Sequence, residues 1–341
     1  MARFVGIDLH RNRFTVCTRC ENGREYLKTV EMKDINRFVS GLRPDDQLAV
    51  EMTTNTRLFI NMVRDAAGRT VVVDSAKFKV ITESTKKTDK NDAKLLAYFL
   101  SKDMLPELRM KDKGREQLHS LCQTRDKLVK QRTQLKNKIN NVLASYGILL
   151  KREELASEKA LRRVLEYDID VMVNLELGVL VEQIRSMNES IKILEDIIKK
   201  EGEKYPEHRI LKSIKGIGDK GASILLSVIG DIKDFSDEKK LASYFGIVPR
   251  VNNSNEKERS GRITKKGTKL GRTTLVQCGL IAKRYSPYLF SFHERVKRNR
   301  GGGKANIALA RKLLSIIYRA LRGGWVFTDF PKFEYEVMAA A

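Results

Sequence analysis

The sequence is poor in several residue types that define common protein classes. Its 341 residues include only four cysteines, six prolines and one tryptophan. Four cysteines in a chain of this size do not form a disulfide framework, so we expect a reducing cytoplasm. The sequence also lacks an apolar run of the roughly 18 to 20 residues that a membrane span requires, and Met1–Arg3 lead into a strand rather than a signal peptide. We therefore expect neither a membrane protein nor a secreted one.

Side chains that often bind transition metals are also scarce. Cys17 and Cys20 form a Cys-x-x-Cys, but it lies in a predicted strand, where positions three apart face opposite sides, and no second ligand pair is near. The chain has four histidines without a metal-ligand spacing: His10, His119, His208 and His293. A zinc site and imidazole-based catalysis are therefore not expected.

Positive charge is what the sequence has in excess. It contains 66 Lys and Arg against 43 Asp and Glu, a net charge of +23. Between Val251 and Arg322, 18 basic residues stand against three glutamates, which places +15 of the net charge in this segment. A solvated basic face is the simpler explanation of a charged segment, but so uneven a distribution favours neutralisation of phosphates. Nucleic acid is the expected partner.

The first hundred residues have the pattern of an α/β domain. Three strands are predicted at 3–8, 13–20 and 25–30, with Glu-Asn-Gly at 21–23 as a turn. Helices and strands then alternate: a helix over 32–41, a strand over 47–52, a helix over 56–67, a strand over 69–74 and an amphipathic helix over 89–102. This order predicts a mixed sheet covered by helices.

The middle of the chain has two heptad series. The first consists of Leu121, Leu128, Leu135 and Val142, with Leu118 and Ile139 at the companion spacing. The second consists of Ile184, Ile191 and Ile198, with Met187 and Leu194 between them. Such repeats predict two long helices packed as a coiled coil. The pair forms either within one chain, as a helical hairpin, or between chains.

Glycines interrupt a mostly helical C-terminal segment. Apolar helices are predicted on both sides of Gly216-Ile217-Gly218, a helix-hairpin-helix pattern in which exposed N–H groups approach a phosphate. A plain interhelical turn explains the same residues, and the basic segment that follows favours DNA. The later run Gly301–Lys304 is not a P-loop, because Arg298 and Ala305 occupy the positions of the required glycine and hydroxyl residue.

Four carboxylates stand at the ends of predicted elements. Asp8 ends the first strand, Glu51 ends the strand over 47–52, and Asp89 and Asp92 begin the helix over 89–102. Strand-end carboxylates of neighbouring strands converge at one sheet edge, and an i, i+3 pair shares a helix face. Each residue alone is explained as a solvated or helix-capping acid. As a set, they predict a two-metal site for phosphodiester chemistry.

These motifs resemble a known family. In the first half they are Gly6-Ile7-Asp8-Leu9-His10, the strand-terminal Glu51 and Lys87–Ala93. In the second half they are Gly216–Gly218, Ile229–Ile232, Phe235-Ser236, Leu241–Pro249, Arg262–Gly267 and Ala310–Leu314. Over nearly the whole chain they are similar to the insertion-sequence transposases of the IS110 family, which includes the Piv-type DNA invertases.

The resemblance implies a three-part architecture. We expect a RuvC-like domain with an RNase H-like α/β fold at 1–107, coiled-coil helices at 108–204, and a mostly α-helical transposase domain with a helix-hairpin-helix at 205–341. It also implies Mg²⁺ or Mn²⁺ bound by the acidic set Asp8, Glu51, Asp89 and Asp92.

The resemblance further implies that a serine attacks DNA. Ser254 matches the family's position, nine residues before Ile263, although Asn255 follows it where the family has Gly. Ser260, followed by Gly261, is the competing candidate. A serine hydroxyl needs a base or a metal for activation, and without the resemblance Ser254 would be a turn residue.

The resemblance implies that the partners are donor and target DNA and a structured noncoding guide RNA of the bridge type. We expect a dimer or tetramer to assemble through the coiled coil. The protein is expected in a prokaryotic cytoplasm, associated with the nucleoid when active. The residues expected to contact nucleic acid are Gly216, Gly218, Lys220, Arg259, Arg262, Lys265, Lys266, Lys269, Arg272, Arg298, Arg300 and Lys304.

Three functions are therefore compared. The first is an RNA-guided recombinase that forms a phosphoserine link to DNA. The second is a metal-dependent nuclease, similar to junction resolvases, that uses only the acidic cluster. The third is a non-enzymatic architectural DNA-binding protein whose acids are structural. All three predict salt-sensitive binding, because each neutralises phosphates.

Overall fold

The structure, a computed structural model, describes residues 3–74, 78, 88–150, 154–254 and 257–338, and only the backbone of residues 154, 251–254 and 257–260. The chain divides into two compact units, Met1–Met110 and Lys111–Ala341. The three-part division with boundaries after residues 107 and 204 stays a prediction. Within the described ranges, no helix combines the length and the apolar composition that crossing a bilayer requires.

The first unit contains a five-stranded mixed sheet in the order β3-β2-β1-β4-β5. Its strands are β1 (Arg3–Leu9), β2 (Arg13–Cys20), β3 (Glu25–Glu31), β4 (Gln47–Glu51) and β5 (Arg69–Val73). The first three strands form an antiparallel meander, whereas β4 pairs parallel with β1 and β5 parallel with β4. The carboxyl ends of β1 and β4 therefore lie side by side at one edge.

Helices cover both faces of this sheet. Helices α1 (Ile35–Ser40) and α2 (Thr56–Val63) pack on one face, in a core built around Phe14, Phe38 and Phe59. The ring of Phe14 meets each of the other two edge-on at 5.2 Å. Helix α3 (Asp89–Ser101) packs on the opposite face through Leu96 and Leu100.

The predicted order of strands and helices in this unit is confirmed. The helix expected from residue 32 begins as a 3-10 turn over Met32–Asp34 and becomes α-helical at Ile35. The turn after β2 closes as expected, with Gly23 at φ 83°, a conformation that glycine adopts without strain.

Close contact between β1 and α3 depends on Gly6. A Cβ at this position would overlap the carbonyl oxygen of Ala93 and the amide nitrogen of Ala97. Cys17, the β2 partner of Gly6, is buried with the same two alanines. Small residues on three elements therefore let the α3 backbone lie directly on the sheet.

The second unit contains two long helices, α4 (Lys113–Ser145) and α6 (Val171–Glu203), linked through the short α5 (Glu158–Leu165). They run antiparallel, because Arg125 pairs with Glu195 near one end and Lys138 pairs with Glu176 toward the other. The predicted heptad residues are buried or half-buried. The helices thus pack within the chain, while coiled-coil supercoiling stays a prediction.

Helices dominate the remainder of the second unit. They are α7 (Pro206–Ser213), α8 (Asp219–Ile229), α9 (Glu238–Tyr244), α10 (Lys269–Ala282), α11 (Pro287–Arg300) and α12 (Gly302–Gly323). Two hairpins accompany them: β6 (Pro249–Ser254) with β7 (Lys257–Ile263), and β8 (Trp325–Asp329) with β9 (Glu334–Val337). One apolar core connects α7 to α12 with the adjoining ends of α4 and α6.

Candidate active site

An acidic cluster lies where β1 ends. Asp8 lies two residues after Gly6, so its side chain is on the face of the sheet that α3 covers. Metal-binding atoms of Asp8, His10 and Asp89 all lie within 4.8 Å of one another. Nε2 of His10 is 3.2 Å from Oδ2 of Asp8 and 3.4 Å from Oδ1 of Asp89. The end of β1, the following turn and the first turn of α3 thus meet at one point.

Glu51 and Asp92 lie next to this group without belonging to it. Ile7 pairs with Val50, so Asp8 and Glu51 occupy the next positions of adjacent parallel strands. Ala49, two residues before Glu51, packs in the α3-facing core, which puts Glu51 on the same face. Asp92 follows Asp89 by one helical turn and is buried.

The electrostatics of Asp8 reflect this crowding. Burial raises the pKa of Asp8 to about 6; the neighbouring His10 lowers it, and the carboxylates of Asp89, Asp92 and Glu51 raise it further. Negative charges that repel one another in a partly dehydrated site are what a divalent cation neutralises. The other three predicted carboxylates are therefore all close enough to Asp8 to affect its charge.

Two side chains at the start of α2 hold the edge in place. Nδ2 of Asn55 donates to the backbone oxygens of His10 and Arg11, at 3.3 and 3.0 Å. Oγ1 of the buried Thr56 donates to the backbone oxygen of Glu51 at 2.8 Å. These bonds fix the turn that carries His10 and the end of β4 relative to β1.

The donor set fits a divalent metal. Carboxylate oxygens suit Mg²⁺ and Mn²⁺, and an imidazole nitrogen is a better ligand for Mn²⁺ than for Mg²⁺. Arg13 lies 3.4 Å from Oδ2 of Asp89, so a cation on Asp89 competes with this arginine. The side chain of Arg13 is 58% exposed, so solvent weakens its pairing with Asp89.

The sequence interpretation missed His10, because it considered histidines only as ligands spaced along the chain. The available signal was its place two residues after Asp8, in the turn between β1 and β2, where the backbone N–H of His10 donates to Arg13. A side chain in that turn lies at the same sheet edge as the strand-end carboxylate.

The two candidate serines lie in the β6-β7 hairpin of the second unit. Ser254 ends β6 and pairs with Lys257, and Ser260 in β7 pairs with Val251. The side chains of both serines, and that of Arg259, are outside the described residues, as is Asn255. The backbone thus puts Ser254 at the tip of the hairpin and Ser260 nearer its base, and the nucleophile stays a prediction.

The turn between α7 and α8 has a structural cause for one of its glycines. Gly216 has φ 106°, and a Cβ there would lie 2.5 Å from the amide nitrogen of Ala282. Gly218 is the N-cap of α8, and a Cβ at this position would meet no atom within 4 Å. Asp219 in the first turn pairs with Lys212, and a carboxylate there opposes a phosphate. Phosphate binding at this turn stays a prediction.

The basic residues predicted to contact nucleic acid divide into two groups. Lys220 lies 3.6 Å from Glu195, and Arg272 donates to the backbone oxygens of Phe245 and Lys265, so both have structural contacts. The other group is exposed and forms no salt bridge with a described carboxylate: Arg262, Lys265, Lys266, Lys269, Arg298, Arg300 and Lys304. Their charge is available to a polyanion.

Comparison with known proteins accounts for a chain that has an acidic cluster in its first unit and many basic residues in its second. Residues 5–148 match a family model described as a transposase domain of the DEDD type, and residues 208–294 match the one described as "Transposase IS116/IS110/IS902 family". The chain belongs to this family. The predicted resemblance is confirmed, as is the enzyme class, a DNA transposase.

Relatives match over most of the chain. The transposase for insertion sequence element IS1111A of Coxiella burnetii is 25% identical over 331 residues, which cover 94% of this chain and 89% of the relative. The transposase for insertion sequence element IS1328 of Yersinia enterocolitica is 25% identical, and the match covers 95% of this chain and 98% of the relative. A pilin gene-inverting protein of Moraxella bovis is 31% identical over 69% of this chain and 66% of its own.

Family membership fixes the coarse properties of both units. The DEDD domain implies an RNase H-like fold, in agreement with the mixed sheet of the first unit. It also implies the use of a divalent metal, for which Asp8, His10 and Asp89 supply ligand atoms. DNA is the substrate class of this family, so a non-enzymatic architectural role does not account for the match.

Proposed function

We propose that the chain is an RNA-guided recombinase of an insertion sequence, which cuts and exchanges DNA strands through a phosphoserine intermediate at Ser254. The observation that carries the proposal is the convergence of Asp8, His10 and Asp89 at one sheet edge, inside the matched DEDD domain. Neighbouring Glu51 and Asp92 complete the acidic set.

In this proposal the acidic set holds Mg²⁺ or Mn²⁺. When bound, the metal supplies a positive charge that stabilises the developing charge on the phosphodiester oxygens. Asp8 is the central ligand, because it is buried and lies within reach of both His10 and Asp89. Asn55 and Thr56 hold the surrounding backbone, so that ligand geometry does not depend on the substrate.

The serine step forms one bond as another breaks. Oγ of Ser254 attacks the phosphorus, its proton passes to a base, and the leaving oxygen of the cut strand becomes a hydroxyl by gaining a proton. The phosphodiester energy is kept in the serine–phosphate bond, so rejoining requires no ATP. Support comes from the hairpin, where Ser254 lies at the tip and exposed cations such as Arg262 and Lys265 follow.

The proposed nucleic-acid interface consists of the exposed cations of the second unit and the α7-α8 turn. A guide RNA is proposed from the family resemblance, supported by the surplus of positive charge beyond what one duplex requires. An oligomer is proposed through the α4-α6 pair, whose tip carries an exposed apolar stripe: Val171, Met172, Leu175 and Val179.

The core experiment measures recombination between a donor and a target plasmid in the presence of the element's own RNA. Ser254→Ala and Asp89→Ala should each reduce recombination by at least about 100-fold, because a nucleophile or a metal ligand is lost. Ser260→Ala is the matched control, since this serine lies in the same hairpin. Full activity of Ser254→Ala disproves the nucleophile assignment.

A metal-dependent nuclease is the second candidate. It is favoured by one observation: the whole acidic set lies within the first unit and includes no residue of the β6-β7 hairpin that carries the two candidate serines. This function predicts that Ser254→Ala still cuts DNA and that no protein–DNA adduct survives denaturation. An adduct lost in Ser254→Ala but retained in Ser260→Ala supports the recombinase instead.

A further inference from the structure

Two neighbouring clefts lie between α11, α12 and the β8-β9 hairpin. Their lining includes no residue of the β6-β7 hairpin or of the α7-α8 turn. The first has a volume of about 560 Å³ and the second about 410 Å³, within the size range of small-molecule sites. Tyr288 and Lys312 line both clefts, so the two adjoin at these side chains, and we refer to the pair as the trough.

The first cleft combines cations with aromatic rings. Tyr288, Phe292, Arg295 and Asn299 recur at three- and four-residue spacings, so they share one face of α11. Arg298 also lines this cleft. Among the described residues, no carboxylate forms a salt bridge with the cations of this cleft. Their charge is therefore not neutralised within the described structure.

Lys312 stands at the junction of the two clefts. Its Nζ lies 5.2 Å from the ring centre of Tyr288 and 5.9 Å from that of Phe292. Cation–π contacts with two rings hold the ammonium group in place without cancelling its charge. A phosphate entering the first cleft would find a fixed positive charge.

The second cleft is lined by four aromatic residues, Tyr288, Trp325, Phe327 and Phe333, together with the charged residues Glu238, Lys312 and Arg319. Trp325 lines it, with one face stacked on Tyr335 at 4.4 Å, and Phe333 meets Tyr288 edge-on at 5.9 Å. Glu238, which also lines this cleft, lies 3.5 Å from Arg319, so these two charges offset each other. The four rings offer apolar faces on which a planar base can stack.

We propose that this trough binds an unpaired nucleotide of a nucleic-acid strand. Its base would lie in the second cleft, called here the aromatic cleft, and its phosphate in the first, called the basic cleft. Aromatic side chains beside a positive groove are the usual means of holding single strands. A base in a duplex is stacked on its neighbours and cannot enter such a recess, whereas an unpaired base can. Exposed Arg300 and Lys304 nearby in sequence would continue along the strand.

The proposal goes beyond strand cleavage and uses neither Ser254 nor the acidic set. It shares with the proposed function only the premise that the chain acts on nucleic acid. A direct optical signal is available, because Trp325 is the single tryptophan of the chain and lines the aromatic cleft. The tryptophan fluorescence of the protein therefore arises from a residue of this cleft.

The experiment titrates the full-length protein with a single-stranded oligonucleotide, as DNA and as RNA, with the matching DNA duplex and with a free mononucleotide. Saturable quenching of Trp325 by at least one single strand, and not by the duplex, is expected. A preference for DNA or for RNA identifies the source of the strand. Equal quenching by the duplex, tighter binding of the mononucleotide, or strand binding without any quenching overturns the proposal.

Variants distinguish this site from general charge attraction. Tyr288→Leu should weaken single-strand binding about five- to hundredfold and leave duplex binding unchanged, since base stacking on an aromatic ring is lost. Tyr285→Leu is the matched control, because Tyr285 is 53% exposed, against 47% for Tyr288, and lines neither cleft. Equal effects of the two substitutions contradict the proposal.

Arg295→Gln provides a second variant that does not affect the apolar core, since this side chain is exposed. It should weaken binding of the single strand and reduce its salt dependence by about one phosphate contact. Unchanged affinity overturns the phosphate assignment. In the Ser254→Ala variant, a single strand should quench Trp325 as it does in the wild type. The test of the trough therefore does not depend on whether Ser254 is the nucleophile.

Discussion

Nε2 of His10 lies 3.4 Å from Oδ1 of Asp89, and the same nitrogen lies 3.2 Å from Oδ2 of Asp8. A nitrogen ligand thus stands between two carboxylates that come from different elements, β1 and α3. This relationship changes the expected metal chemistry, because carboxylate oxygens suit both Mg²⁺ and Mn²⁺, whereas an imidazole nitrogen favours the transition metal.

His10→Gln should lower the affinity for Mn²⁺ by about tenfold and the affinity for Mg²⁺ much less, because Mg²⁺ binds oxygen ligands and retains its waters. Calorimetric titration of the full-length protein with each metal measures both constants. His119→Gln is the control, since His119 lies in the second unit and its Nδ1 is near Oγ of Ser227. Equal losses for Mg²⁺ and Mn²⁺ contradict direct ligation by His10.

Asp8 should make metal binding depend on pH. Its pKa is raised to about 6, so below this pH the carboxyl group is protonated and a metal must displace the proton. We expect divalent affinity to fall as the pH is lowered from about 7.5 to about 5. Titrations at these pH values, in buffers of equal ionic strength, measure the change. A pH-independent affinity contradicts the role of Asp8 as a ligand.

The same pKa shift has a consequence for stability. A folded-state pKa above the unfolded value means that the folded protein loses stability as the pH rises through about 6, because a buried charge forms. Asp8→Asn should therefore raise the free energy of unfolding at pH 7.5 without metal, by about 1 to 3 kcal/mol, and abolish the stabilisation by Mg²⁺. Denaturant unfolding with and without Mg²⁺ measures both effects.

Much of this arrangement could be predicted from the sequence, for identifiable reasons. Strand periodicity and the glycine turn after β2 gave the sheet, and Asp8 and Glu51 were recognised because each ends a strand. His10 was not, because its contribution depends on a contact with Asp89, which is distant in the sequence; its place two residues after Asp8 was the one local signal. The trough at Tyr288 was also missed, because α11, α12 and the last hairpin build it jointly.

Gly6 shows a constraint that only the packing reveals. Gly6→Ala should destabilise the first unit by about 3 kcal/mol or more, because the new Cβ overlaps backbone atoms of α3 that cannot move independently. The displacement of α3 should also separate Asp89 from Asp8 and weaken metal binding. Thermal unfolding and metal titration measure the two effects.

Gly178→Ala is the matched control for Gly6→Ala. Gly178 lies inside α6, and a Cβ there would meet no atom within 4 Å. Alanine should stabilise this helix by about 1 kcal/mol, since it is the better helix former. The free energy of unfolding should therefore fall in Gly6→Ala and rise in Gly178→Ala. A loss of stability in Gly178→Ala would contradict the open environment of this glycine.

The apolar stripe on α6 should form an interface between copies of the chain. Val171, Leu175 and Val179 recur every four residues and, with Met172, are exposed by 56 to 82%. Four adjacent apolar side chains on one exposed helix face are typical of an interaction surface. Leu175→Glu with Val179→Glu should convert the oligomer to monomers, because burying two unpaired carboxylates opposes association.

Sedimentation velocity over a range of protein concentrations measures this change. Leu58→Glu is the control, because Leu58 is 56% exposed on α2 in the other unit. Both variants should keep the helical circular dichroism spectrum of the wild type, since all substituted side chains face solvent within one chain. An oligomer that persists in the double variant, or a wild-type protein that sediments as a monomer at every concentration, shows that the stripe does not mediate assembly.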